Sequence, residues 1–159
     1  MAGKVDVVDV EYYEQEIKPH IDGEQIQYLG EANHFEKNAL LGGACAMLFP
    51  ITWREPFGLV MVESMAAGTP VIAMNLGSAP EVITHGKTGF LCTSVEECIS
   101  AIDKALKLDR YTIRENVSNR FGVQQMVEGY EAVYRQLMEK RFASNGHLHR
   151  AIASNLNIK

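Results

Sequence analysis

The sequence predicts an α/β fold in which parallel strands are flanked by helices. Two short runs, "AMLFP" (46–50) and "PVIAM" (70–74), are continuously apolar, as strands covered on both faces are. Segments with helical spacing alternate with such runs along the chain. Each run also empties into a loop of turn-forming residues, "ITWREPFG" and "NLGSAPE". Ligands of open parallel sheets bind outside the carboxyl ends of the strands, so both loops are expected to face one crevice.

Taken in order, "EYYEQEIKPHID" (11–22) fits an amphipathic helix closed by Pro19 and Gly23, and "IQYLG" (26–30) fits a short strand stopped by its glycine. "NHFEKNALLGG" (33–43) opens on Asn33 with Glu36 three residues on, the pattern of a capping box, and leaves through a glycine pair. A helix is expected from Pro56 to Gly68, because proline suits the first helical position and glycine the stop. "GSAPEVITHGKTGFLC" (77–92) surrounds a turn and one further strand. Ser94 and Glu97 form a second capping-box pattern ahead of a helix over 94–108. In 123–143, Met126, Val127, Tyr130, Val133, Tyr134 and Leu137 recur at helical spacing. Residues 144–159 are polar and weakly patterned and are expected to form a flexible tail, leaving 1–143 as the folded domain.

At 159 residues the chain is one domain by length. A net charge of −5 and a pI near 5.5 argue against a nucleic-acid surface. A local anion site stays open, since backbone amides can build one without a basic residue. Cys45, Cys92 and Cys98 are odd in number and lack Cys-x-x-Cys spacing, which points to reduced thiols and a cytoplasmic setting. The first residues lack the basic-then-apolar pattern of a signal peptide. No apolar run approaches the ~18 residues of a membrane span, while peripheral contact with a membrane stays open. His20, His34, His85, His147 and His149 do not gather with cysteines or carboxylates at ligand spacing, so no metal site is expected.

The chemistry concentrates in "EPFGLVMVESMAAGTPVIAMN" (55–75), where Glu55 and Glu63 interrupt an apolar stretch. A helix beginning at Pro56 would leave the amides of Phe57, Gly58 and Leu59 without intrahelical partners. With the helix dipole they would seat a phosphate or diphosphate, and Gly58 would let it come close. The plainer reading is a capped helix whose glycine aids packing. On one continuous helix, Glu63 would lie about 12 Å along the axis from Glu55, the reach from a sugar past a diphosphate to a ribose. A carboxylate there suits vicinal ribose hydroxyls. The alternative for Glu63 is a salt-bridged surface residue.

The stretch "EPFGLVMVESMAAGTPVIAMNLGSAPEVITHGKTGFLC" (55–92) closely resembles the signature of retaining glycosyltransferases of the GT-B type, family 4 (group 1). That signature is a Glu-x7-Glu motif, a "G-PVIA" strand, a "GG-PE-I" loop and an "NG-TGFLV" turn. The match is dense over 46–92 and looser from "EYYEQEIKPHI" to about residue 142. The resemblance implies that Glu55 contacts donor-sugar hydroxyls beside the anomeric centre, in the catalytic position. It implies that the amides of Phe57, Gly58 and Leu59 hold sugar and phosphates, that Glu63 binds the ribose, and that Gly77 shapes the crevice. Ser78 stands where the family usually has a second glycine, and Arg54 occupies a position the motif does not fix. The donor would be a nucleoside-diphosphate sugar, with no other cofactor and no metal.

The resemblance further implies a Rossmann-like sheet, the C-terminal half of a GT-B fold, ordered 3-2-1-4-5-6. "IQYLG", "AMLFP", "PVIAM" and "GFLC" would be strands 3 to 6, with the first strand and most of the second missing ahead of "MAGKV". An N-terminal acceptor-binding domain would be missing too, with the Arg and Lys that hold the donor phosphates; Lys4 does not replace them. The fragment alone is therefore expected to be inactive. The open edge of strand 4 is expected to pair with strand 3, or to be covered in a homodimer with "VDVVDV" recruited as a strand. Other readings are a non-catalytic nucleotide-sugar-binding module, or an epimerase or phosphorylase of the same fold. An epimerase would lack the Glu-x7-Glu spacing. A phosphorylase would need a pyridoxal-binding lysine, for which neither Lys87 nor Lys104 has the context.

Overall fold

The computed structural model describes the backbone of residues 1–155 and the side chains of residues 1–141. The chain forms two compact units, Met1–Glu115 and Asn116 onward.

The first unit opens on an exposed helical run: a 3-10 turn Val7–Asp9, α1 (Val10–Tyr12), a π turn Tyr13–Ile17 and a 3-10 turn Lys18–His20. It starts earlier than the pattern over 11–22 predicts and buries no residue, so local pairs such as Lys18–Glu14 at 2.7 Å support it. "VDVVDV" enters this run from Val7 and supplies no strand.

"IQYLG" forms no strand either. Its backbone bonds instead to the first residues of the chain. The terminal ammonium of Met1 donates to Gln27 O at 2.5 Å, Leu29 N–H to Met1 O at 2.9 Å, and Gly3 N–H to Gly30 O at 2.8 Å. Tyr28 adds a phenol bond to Gly3 O at 2.6 Å. The contact is too short and irregular for a ladder, and pairing of "IQYLG" with the "AMLFP" strand does not occur among the described residues.

Among the described residues the sheet has three parallel strands in the order β1 (Met47–Phe49), β2 (Val71–Met74), β3 (Gly89–Cys92). Met47 lies opposite Val71, which lies opposite Gly89. β2 is covered on both faces, with Val71, Ile72 and Ala73 fully buried. β1 departs from that expectation because it is an edge: Leu48 is 55% exposed. Met47 turns its amide toward β2, donating to Pro70 O at 2.9 Å. In a parallel ladder the neighbouring Leu48 then points its N–H and C=O the other way, into a groove of about 1080 Å³. Lys4, Leu40, Met47 and Phe49 are among its walls.

Helices cover the rest. α2 (His34–Gly43) carries the predicted capping box: Asn33 Oδ1 accepts from Phe35 and Glu36, and Glu36 Oε2 accepts from Asn33 N–H at 2.8 Å. α3 (Leu59–Ala66) buries Met61 and Met65 completely, and α4 (Ala79–Val82) is one short turn. α5 (Val95–Ala105) turns small residues, Cys98, Ala101 and Ala105, onto Ile72 and Cys92. Burial pushes the Cys92 thiol up to about 11, so it stays protonated and serves as a small hydrophobe. Ser94 caps α5 as expected, but Glu97 reaches past it to Thr93, accepting from its N–H at 2.6 Å and its hydroxyl at 2.9 Å.

α6 (Arg110–Phe121) begins in the first unit. The Arg110 guanidinium donates to Ala44 O at 2.7 Å, Gly42 O at 2.8 Å and Thr69 Oγ1 at 2.7 Å. Fully buried Thr69 donates in turn to Leu41 O at 2.5 Å. These bonds satisfy the carbonyls that the C-terminus of α2 leaves over, with the charge the dipole favours there.

In the second unit, α7 (Val123–Asn155) carries Met126, Val127, Tyr130, Val133, Tyr134 and Leu137 as an exposed stripe. The backbone of 144–155, expected as tail, continues this helix, because a helix satisfies its own hydrogen bonds whatever the side-chain pattern. Residues 156–159 of the expected tail lie outside the described ones.

Two stability outcomes follow. Arg110→Met is expected to lower stability by about 1–3 kcal/mol, read as a shift in urea midpoint, by stripping partners from the end of α2 and from Thr69. The Thr93 bonds hold the Glu97 carboxyl below its usual range. That contribution is present above the unfolded value near ~4.3 and is lost as pH falls through the lower folded value. Thermal scans between pH 5 and about 3 should therefore show a shallower decline for Glu97→Gln than for the native chain.

Candidate functional site

The site is built where β1 and β2 end. β1 leads through Pro50 into a loop that carries Trp53, Arg54, Glu55 and Phe57 to the start of α3. The helix does not begin at Pro56 as predicted. Gly58 takes the N-cap with φ +75° and ψ +62°, a left-handed turn that reorients the chain, and Leu59 is the first helical residue. Glu55 therefore lies off the helix, and a helical rise summed from Glu55 to Glu63 does not measure their separation.

The Phe57 and Gly58 amides face the chain's own carboxylate. Glu55 Oε1 accepts from Gly58 N–H at 3.0 Å and Phe57 N–H at 3.5 Å, while Oε2 accepts from Trp53 Nε1 at 3.4 Å. A carboxylate thus already occupies the entrance of α3, where the dipole favours negative charge. Leu59 and Val60, in the first turn, have no helical carbonyl within reach. Arg54 is exposed.

The β2 loop fixes this arrangement. Gly77, at φ +55°, brings its backbone so close to the β1 loop that an added Cβ would lie 2.5 Å from Glu55 O and 2.7 Å from Glu55 N. Ser78 then bonds twice across the gap, from its N–H to Glu55 O at 2.9 Å and from its hydroxyl to Phe57 O at 2.8 Å. Gly77 thus allows contact between the backbones of the two loops. Ser78, which the sequence shows only as a departure from a glycine pair, supplies the bonds. Its hydroxyl in place of a hydrogen was the available signal.

Glu63 lies on α3 between Met61 and Ser64–Met65, all three of them buried. Its side chain is 35% exposed and paired with Lys37 of α2 at 2.5 Å. Sequence reasoning passed over Lys37, because no local pattern announces a contact made across two helices. Among the described residues, no three His, Cys, Asp or Glu side chains gather as a metal cluster would, and no helix is long and apolar enough to cross a membrane.

Parallel strands flanked by helices, with the strand-end loops meeting at the start of α3, place the chain in the α/β class of GT-B-type folds, to which its solved neighbours belong. The chain belongs to the family of glycosyl transferases group 1, whose pattern it matches over residues 1–121. It is 33% identical over 128 residues to N-acetyl-alpha-D-glucosaminyl L-malate synthase of Bacillus anthracis, covering 75% of this chain and 32% of that protein. Over 66 residues it is 42% identical to a glycogen synthase of Mycobacterium tuberculosis, covering 42% of this chain and 16% of the other. Anabaena Alr3699/HepE, solved with UDP-glucose, superposes with a TM-score of 0.60 at 28% identity, over 77% of this chain and 36% of that one. Sucrose-phosphate synthase from Thermosynechococcus elongatus shares the fold at a TM-score of 0.68 and 24% identity, over 87% and 38% of the two chains. The chain thus spans about a third of the length of the B. anthracis relative.

Gly77→Ala forces two backbones apart and is expected to cost about 1–3 kcal/mol in urea unfolding. Ser78→Ala should cost about 1 kcal/mol. A Gly77→Ala midpoint equal to the native one would show that the loops separate freely.

Proposed function

We propose that this chain is the donor-binding domain of a retaining, hexosyltransferase-like enzyme of GT-B family 4, and that it binds a nucleoside-diphosphate sugar. The observation that carries this reading is the carboxylate of Glu55 on the amides of Phe57 and Gly58, held in place by Gly77 and Ser78. It marks a position at the entrance of α3 where negative charge is already stabilised. The solved complex of a neighbour with UDP-glucose supports a nucleotide-sugar donor.

On this reading the donor diphosphate takes the amides of Phe57, Gly58 and Leu59, and Glu55 turns away from it toward sugar hydroxyls near the anomeric carbon. Two like charges would otherwise share one seat. Glu63 accepts from the ribose hydroxyls. Phosphate departs from the donor face and the acceptor oxygen enters on that same face, so configuration is retained. The amides and helix dipole stabilise charge growing on the leaving diphosphate. Glu55 and Glu63 are no glycosidase pair, since one of them is committed to ribose. No metal or further cofactor takes part.

An acceptor-binding domain and the phosphate-holding Arg and Lys come from elsewhere in a longer enzyme, and this chain alone transfers no sugar. The β1 edge is covered there by a strand or, in isolation, by a second copy. The enzyme works in the cytoplasm, with peripheral membrane contact left open.

Calorimetry on the chain with UDP, GDP and their sugars tests the division of labour. Glu63→Ala should weaken nucleoside diphosphate and nucleotide sugar alike, by about 1.5–3 kcal/mol. Glu55→Ala should keep or tighten nucleoside diphosphate binding, because it clears a competing carboxylate from the Phe57 and Gly58 amides, while the added affinity from the sugar disappears; in the full-length enzyme it should lower turnover. Equal loss of nucleoside diphosphate in both variants would overturn the assignment.

A further inference from the structure

From the contact between α2 and α3 we infer that Lys37 is a positioning residue for the ribose carboxylate: it fixes Glu63 so that one carboxylate oxygen is presented to the nucleotide. The inference rests on the reading of Glu63 as the ribose ligand. Lys37 Nζ lies 2.5 Å from Glu63 Oε1, and no other carboxylate among the described residues pairs with it. Glu63 Oε2 accepts no hydrogen bond among the described residues. Lys37 and Glu63 are 33% and 35% exposed, so the pair sits at a boundary, reachable by a ligand but sheltered on one side.

Neither partner is loosely mounted. α2 is locked at its start by the Asn33–Glu36 capping box and at its end by Arg110. The Lys37 stem lines the groove beside Leu40 and Leu41, which sets where its ammonium can reach. α3 is anchored by Met61 and Met65, both fully buried. A free glutamate spreads over many rotamers and pays for ordering when a ligand arrives. With Oε1 held from α2, the Glu63 carboxylate is ordered in advance, and its second oxygen is turned to a fixed direction. The ammonium also cancels the glutamate's charge, which lowers repulsion of an incoming diphosphate. Charge alone would favour every anionic ligand equally, whereas orientation favours ligands that carry ribose hydroxyls. That difference separates a positioning role from a merely electrostatic one.

The test measures dissociation constants for UDP, GDP and ADP, each beside its 2′,3′-dideoxy counterpart, on the native chain, Lys37→Met, Lys37→Arg and Glu63→Gln. With the nucleotide that binds most tightly, the native chain is expected to prefer the ribose form by about tenfold, the value of a charge-assisted hydrogen bond. Lys37→Met should shrink that preference to about twofold or threefold, Lys37→Arg should keep most of it, and Glu63→Gln should lose most of it. If Lys37→Met weakens both forms equally and leaves the ratio intact, Lys37 supplies charge alone and the positioning role is overturned. If the native chain binds no nucleoside diphosphate, or binds ribose and dideoxyribose forms alike, the reading of Glu63 falls first and takes this inference with it.

Discussion

The close approach of the two strand-end loops is the constraint on which the site depends. Gly77 is the residue that permits it, because any Cβ at that position would enter the backbone of Glu55. Ser78 then turns proximity into bonds, one to each side of Pro56. The loop from Trp53 to Gly58 has no regular structure, so these contacts substitute for it. They hold the backbone at Glu55 and Phe57, just ahead of the start of α3. Without them the entrance of α3 would keep its dipole but lose its geometry.

The sheet and its helices contribute support at lower resolution. β2 is buried on both faces and aims the Gly77 loop, while the small residues of α5 let that helix lie close on Ile72 and Cys92. On the other side, Arg110 and Thr69 tie the end of α2 to the β2 entrance. α2 is thereby fixed at both ends, so the Lys37–Glu63 pair joins two elements that are each already placed.

What the sequence showed follows the range of the interactions involved. The capping box at Asn33 was legible because all its partners lie within four residues. The strands 47–49, 71–74 and 89–92 were legible as unbroken apolar runs between turn residues. The start of α3 was misplaced because proline is a local signal, while the backbone ahead of the left-handed Gly58 is held by Ser78, which bonds Phe57 O from 21 residues further along the chain. "IQYLG" has the composition of a strand, yet a strand needs a ladder, and among the described residues its long-range backbone bonds go to Met1 and Gly3 alone. Ser78 and Lys37 act across 21 and 26 residues of chain, distances at which no spacing rule speaks. The helix through 144–155 was missed because polar, weakly patterned sequence argues against a buried face and not against helical hydrogen bonding.

The free edge of β1 has a consequence for handling the chain in solution. An unpaired apolar edge is a template for other strands, and Leu48 leaves one more than half exposed. Yet the template is short. β1 ends at Phe49, and Pro50, which has no N–H to offer an incoming strand, follows at once. Lys4 and Lys37 line the groove, so an approaching sheet would have to strip water from charged side chains. The same groove that invites one well-fitted strand is thus guarded against indefinite stacking. Concentration should drive this chain toward small, discrete assemblies before it drives it toward fibres.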